Sequence, residues 1–137
     1  MTRIRETIAI AAPPAELWDA IADIGAIHTR VAPGMVLDTK LEQGGAVRVV
    51  TFGNGAVLTE AIVSLDHAAR ELVWTAQGGP WTHHNASLSV TDGAGGGGAV
   101  TWTADVLPDS AGEIIAGFVA AGLQTMKAHY ESSRNDR

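Results

Sequence analysis

Hydrophobic positions recur along the chain with a period near two in some stretches and near three and a half in others, and the changes of period mark its elements. From about Thr2 to Ala11, Ile4, Ile8 and Ile10 lie among polar neighbours at strand-like spacing, and the stretch stops at Ala12-Pro13-Pro14. Pro14 suits a first helical turn, and Leu17, Trp18, Ile21 and Ile24 follow at helical spacing until Gly25. This predicts a short helix, with a second one after Gly25. Pro33-Gly34 interrupts the helical region before an extended segment from Met35 to Glu42, which ends at Gln43-Gly44-Gly45. Ala46 to Phe52, Gly53-Asn54-Gly55 and the β-branched stretch from Val57 to Leu65 then form a hairpin, Asn-Gly being the strongest short-range signal for a tight turn between strands.

Asp66 to Arg70 is polar enough for another turn, and Leu72 to Thr75 continue as a strand until Gly78-Gly79-Pro80. In the next strand His84, Ala86, Leu88 and Val90 share one face, while His83, Asn85, Ser87 and Ser89 share the other. In the last, Val100, Trp102, Ala104 and Val106 oppose Thr101, Thr103 and Asp105, so each strand has one buried and one wet face. The glycine run from Gly93 to Gly98 lies between these two strands. A phosphate-cradling loop needs a helix after it, so the run reads as a hairpin tip. After Leu107-Pro108, Asp109 or Ser110 suits a helix cap, and an apolar stripe of Ile114, Ile115, Phe118, Val119, Ala121, Gly122, Leu123, Met126 and Tyr130 predicts one long amphipathic helix before SSRNDR frays.

A run of strands followed by one helix with a wide apolar face implies a two-layer α+β arrangement with the helix laid across the sheet. A twisted sheet of this size curls, and a helix along its concave side leaves space unfilled. The expected fold is thus a curved antiparallel sheet of about seven strands around a long C-terminal helix, with two short helices after the first strand, in a single domain over residues 1–137.

Composition narrows the function classes. With 46% hydrophobic and 18% charged residues the chain is proportioned for a packed core. It has no cysteine, which removes disulfides, thiolate metal sites and cysteine nucleophiles and leaves the cytoplasm as the default location. The N-terminal apolar run is too short and too interrupted for a signal peptide or a membrane span. A net charge of −6 with scattered basic residues disfavours nucleic acid and anionic membranes as partners. No metal or cofactor site is expected. Adjacent His83 and His84 point to opposite faces of a strand and cannot share one ion.

The opening APPAELWDAIADIG, the central GAVRVVTFGNGAVLTEAIVSLDHAARELVWT, the segment HHNASLSV, the strand AVTWTADVLPD and the helix ending in LQTMKAHYE together resemble the START-like, or helix-grip, superfamily over nearly the whole chain. Within it the chain is similar to the bacterial polyketide cyclase/dehydrase-like group, related to birch-pollen allergens and abscisic-acid receptors. The resemblance implies a cavity between sheet and helix, with Glu60 facing it and His84 at a position where relatives often carry an aromatic ring. If the short helices lie where relatives have them, it also places Arg30 near the cavity mouth, with a solvated arginine as the alternative, and it sets the Gly53-Asn54-Gly55 tip where the plant receptors carry a longer gating loop.

Local pattern alone does not orient Glu60, since the two faces of its strand are equally apolar. Buried, it would need a raised pKa or a partner such as His84, Arg48 or a ligand group. Trp74 and Trp102 fall on inner strand faces, and Phe118 and Met126 on the inner helix stripe. For these, as for Phe52, core packing and ligand contact both stay open. Trp18 reads as packing at the helix-sheet junction. Gly117 and Gly122 either leave room for a ligand or let the helix approach the sheet. His28, His67 and His129 show no partner pattern.

Three functions remain. The first is binding of a small hydrophobic molecule such as a polyketide, lipid, isoprenoid or aromatic metabolite, through Arg30, Phe52, Glu60, Trp74, His84, Trp102, Phe118 and Met126. The second is a cyclase, dehydratase or isomerase with Glu60 and His84 as the acid/base pair. The third is a protein-interaction domain, against which the polar outer face of the last strands counts. Association as a homodimer stays open.

Overall fold

The computed structural model describes residues 1–135, with side chains through residue 132. The alternating stretches form strands β1 (Thr2–Ile10), β2 (Val36–Glu42), β3 (Val47–Phe52), β4 (Val57–Asp66), β5 (Glu71–Gln77), β6 (His83–Asp92) and β7 (Gly98–Leu107). Helix α1 (Pro14–Ala22) and a π-type turn (Ile27–Val31) fill the interval after β1, and helix α2 (Gly112–Asn135) closes the chain. The strands make one antiparallel sheet in the order β1-β7-β6-β5-β4-β3-β2. β2 to β7 form a meander, and the connection through α1 carries the chain from one sheet edge to the other.

The period-two pattern becomes burial directly. On β6, His84, Ala86, Leu88 and Val90 are buried, as are Val100, Ala104 and Val106 on β7. Bulges between Val36 and Asp38 on β2 and between Ile62 and Ser64 on β4 interrupt the ladders. An extra residue on one strand bends it and increases local twist, which helps the sheet curve around α2. The β3–β4 hairpin is symmetric about Asn54, with Thr51 opposite Val57 and Phe52 donating its N–H to the Ala56 carbonyl at 2.9 Å. Gly55 takes φ 90° there, which a side chain would strain.

Helix α2 buries Ile115 and Val119 in its first half, and from Leu123 onward it adds polar ties to its packing. Leu123, Met126 and Tyr130 are buried, and each such apolar side chain contributes about 1.5–3 kcal/mol by leaving water. Lys127 Nζ donates to the Ala9 carbonyl at 2.8 Å, Glu131 accepts from the Ala11 N–H at 2.9 Å, and the Tyr130 hydroxyl donates to the Arg30 carbonyl at 2.7 Å.

The structure departs from expectation at both ends of α2. The two capping candidates, Asp109 and Ser110, lie inside a 3₁₀ turn (Asp109–Ala111) that precedes the helix. Ile114, assigned to the inner stripe, is 47% exposed, because the turn at Ile115 already faces the sheet. The helix continues to Asn135, into the segment expected to fray, whose last two residues lie outside those described. On the outer sheet face the last strands are polar, as expected, but β4 exposes Val57, Val63 and Leu65.

Candidate functional site

Where α2 passes over β3 to β6 it does not meet the sheet floor, and the space left is a partly enclosed, mainly apolar cavity. Its volume is about 70 Å³. Its walls come from the inner faces of β3–β7, the N-terminal half of α2, the end of α1, the segment Ile27–Val36 and Trp81. Phe52 and Phe118 meet edge to face at 5.3 Å, and Trp74 and Trp102 at 5.9 Å, so rings from sheet and helix interlock around the hollow. Gly122 lets the helix come this close. A Cβ there would lie 2.5 Å from Cζ3 of Trp102, whereas one at Gly117 would meet nothing within 4 Å.

Sheet register gathers the polar groups. Arg48 is paired with Glu60, Glu60 with Ala76, and His84 with Val106. Continuing the Thr75–Asn85 register by one residue sets Ala76 beside His84. Arg48, Glu60, Ala76, His84 and Val106 thus form one row across the concave face, all buried. Glu60 and His84 stand two strand spacings apart, about 9.6 Å, with only the Ala76 methyl between them.

Glu60 faces inward at 6% exposure, as the resemblance implies, and its partner is Arg48 rather than His84. Arg48 Nε donates to Glu60 Oε1 at 2.8 Å, its Nη1 donates to the Ile24 carbonyl at 3.3 Å, and its guanidinium lies 5.2 Å from the Trp74 ring centre. Burial pushes the Glu60 carboxyl above its ordinary value, with the Arg48 charge opposing the rise. His84 is 8% exposed and packs edge to face against Trp81 at 4.7 Å. Its pKa is lowered to about 4, mainly because burial disfavours the imidazolium and secondarily through the charge of His83. The ring is neutral near pH 7.

Six of the eight residues nominated from the sequence line this cavity: Phe52, Glu60, Trp74, His84, Trp102 and Phe118. Two do not. Arg30 is turned away, its guanidinium held by Asp19 at 2.6 Å and Asp23 at 3.0 Å on α1 and the turn after it. Met126 is 1% exposed but sits one turn beyond Gly122, the last helix residue to line the hollow. Arg48 and Trp81 line the cavity and were not nominated. Arg48 was legible, since it and Glu60 lie six residues on either side of Asn54, the centre of the hairpin. Trp81, in an irregular segment after Gly78-Gly79-Pro80, carried no periodic signal. Its indole donates to the Ala76 carbonyl at 2.8 Å and folds the segment over the cavity rim.

His83 is exposed on the opposite face from His84, so the two histidines do not converge. Histidines without a visible pattern do have partners. The Trp18 indole donates to His67 Nδ1 at 3.1 Å, His28 Nδ1 lies 3.2 Å from the Thr39 hydroxyl, and the His129 ring packs on Tyr130 at 5.0 Å. Outside the cavity, a surface groove between Gly53-Asn54 and the first turns of α2 shares Met35, Phe52 and Phe118 with its wall.

A curved sheet gripping a long helix over such a hollow defines a START-like helix-grip protein. The chain belongs to the polyketide cyclase/dehydrase and lipid transport family, whose model matches residues 1–131. No curated protein matches it at significant similarity. Among solved structures it is similar to the protein XoxI of Bacillus cereus, with 18% identity and a TM-score of 0.87 over 98% of this chain and 99% of that one. A START superfamily protein of Mycobacterium smegmatis gives 13% identity and a TM-score of 0.75, covering 95% and 97%. The ZhuI aromatase/cyclase of a Streptomyces species gives 20% identity and a TM-score of 0.74, covering 99% and 96%. At these identities the likeness concerns the fold. No helix among the described residues is long and apolar enough to cross a membrane.

Proposed function

We propose that this protein binds a small apolar molecule in the cavity between β3–β7 and the N-terminal half of α2. The observation that carries this reading is an interior hollow, walled by interlocked aromatic rings, into which a histidine without a hydrogen-bond partner is turned. A fold selected only for stability would close such a space, since unfilled volume forfeits packing contacts. The hollow is narrower than the roughly 150 Å³ that accommodates benzene in an engineered protein cavity, so a ligand enters by displacing its neighbours. Met35 and Phe118 are suited to this, one flexible and both at the boundary with the surface groove.

Native mass spectrometry of freshly purified protein tests the proposal. The wild type should carry a bound small molecule, and Leu58→Trp, which fills the hollow from β4, should lose it. An unliganded wild type that also fails to take up single-ring hydrocarbons would contradict it.

A second reading, a cyclase-, dehydratase- or isomerase-type enzyme, draws on the placement of Glu60 and His84 on either side of Ala76 and on the family description. It is weaker on two counts. Glu60 is held by Arg48, and a histidine titrating near 4 is a poor proton donor at neutral pH. Glu60→Gln and His84→Phe separate the readings, because an enzyme loses turnover with affinity little changed, whereas a carrier shows the effect in affinity.

A further inference from the structure

Three nitrogen atoms in the cavity wall are buried without a hydrogen-bond partner: both ring nitrogens of His84 and Nε1 of Trp102. The other inward polar side chains each have a protein partner: Arg48 Nε donates to Glu60 Oε1, and the Trp81 indole donates to the Ala76 carbonyl. Leaving a buried donor or acceptor unpaired costs about 1–3 kcal/mol. Three in one wall therefore favour whatever supplies the missing partners. The indole Nε1 can only donate, and a neutral imidazole offers one donor and one acceptor. An oxygen that accepts, or a hydroxyl that accepts and donates, meets these requirements.

Charge points the same way. Arg48 is the only lysine or arginine in the cavity wall among the described residues; its charge is paired with Glu60 through Nε, its Nη1 donates to the Ile24 carbonyl, and its guanidinium lies 5.2 Å from the Trp74 ring centre. A ligand carboxylate would have to displace Glu60 or lie next to it, after losing its own hydration among apolar walls. His84, neutral near pH 7, offers no compensating positive charge.

Resting on the reading of this cavity as a binding site, we infer that it selects uncharged single-ring molecules bearing a hydroxyl or carbonyl oxygen, held by Trp102 Nε1 and His84, and rejects carboxylates of the same size. The ligand's ring occupies the aromatic hollow, and its oxygen supplies a partner for Trp102 Nε1 and for one of the two His84 ring nitrogens.

The test titrates the full chain by calorimetry near neutral pH with toluene, p-cresol and benzoate, three probes of similar ring size. p-Cresol should bind about tenfold more tightly than toluene, the effect of one or two neutral hydrogen bonds, and benzoate should bind more weakly than toluene. p-Cresol should also shift the Trp102 indole N–H resonance, assigned by its loss in Trp102→Phe. His84→Phe should narrow the ratio between p-cresol and toluene affinity. Equal binding of toluene and p-cresol, or benzoate binding as tightly as p-cresol, overturns the selectivity while leaving the binding site standing. Binding by none of the three overturns both. Should either variant fail to fold, the wild-type affinity ratios decide alone.

Discussion

Helix α2 crosses the sheet under two regimes. Over its C-terminal half, Leu123, Met126 and Tyr130 are buried against the sheet and the turn before β2, and Lys127 and Glu131 tie the helix to the end of β1. Over its N-terminal half, Phe118 and Gly122 look across a hollow towards Trp74, Glu60 and His84. One helix with one apolar stripe thus serves as a clamp at one end and a roof at the other. Stability is concentrated where contact is complete, which leaves the other end free to hold space and uncompensated polar groups.

The sharpest way to break this division is at the buried ion pair. Arg48→Leu should destabilise the protein by about 3–5 kcal/mol in chemical denaturation, because Glu60 is left buried without its ionic and hydrogen-bond partner and must either carry an uncompensated charge or take up a proton. The double variant Arg48→Leu with Glu60→Leu should recover much of that loss. If the single variant were no worse than the double, the pair would not be coupled. Next comes a pair of truncations on the same helix. Met126→Ala should cost about 2–5 kcal/mol by opening a cavity in packed structure. Phe118→Ala should cost less, since its ring already borders open space. Equal losses would erase the distinction between the two halves.

A smaller effect separates His84 by pH. Its folded pKa lies near 4 and its ordinary value near 6.5, so between these the unfolded chain binds more protons. The contribution is fully present above about pH 6.5 and is lost as pH falls towards 4, amounting to about 3 kcal/mol. Glu60, with its pKa raised, contributes with the opposite sign and is common to wild type and variant. His84→Phe should therefore flatten the acid limb of the stability profile relative to wild type. Parallel profiles would place the imidazole in water. The smallest change concerns the roof itself. Gly117→Ala should stabilise α2 by about 1 kcal/mol, since the added methyl meets nothing, whereas Gly122→Ala should destabilise through Trp102.

The fold was legible because burial in a sheet has a period of two and leaves its mark on every strand. His84, Ala86, Leu88 and Val90 needed no further information to be placed together. The hairpin at Asn54 also carried its register, and with it the pairing of Arg48 with Glu60, although only one of the two was nominated. What periodicity could not convey is where along a correctly identified stripe the sheet falls away from the helix. Met126 and Phe118 look alike in sequence and differ only in what lies opposite them. Arg30 was misplaced for a related reason. Its orientation depends on Asp19 and Asp23 coming within reach, which requires the path of the irregular segment between α1 and β2. The same holds for Trp81, whose role follows from a loop that folds back onto its own strand.

The division of α2 is tested most directly by methyl-resolved NMR during titration with p-cresol. Shifts should concentrate on Met35, Leu58, Leu88 and Ile115 around the hollow, while Leu17, Leu123 and Met126 in the packed end stay unchanged. No shifts at saturating p-cresol, or shifts centred on Leu123 and Met126, would contradict the account.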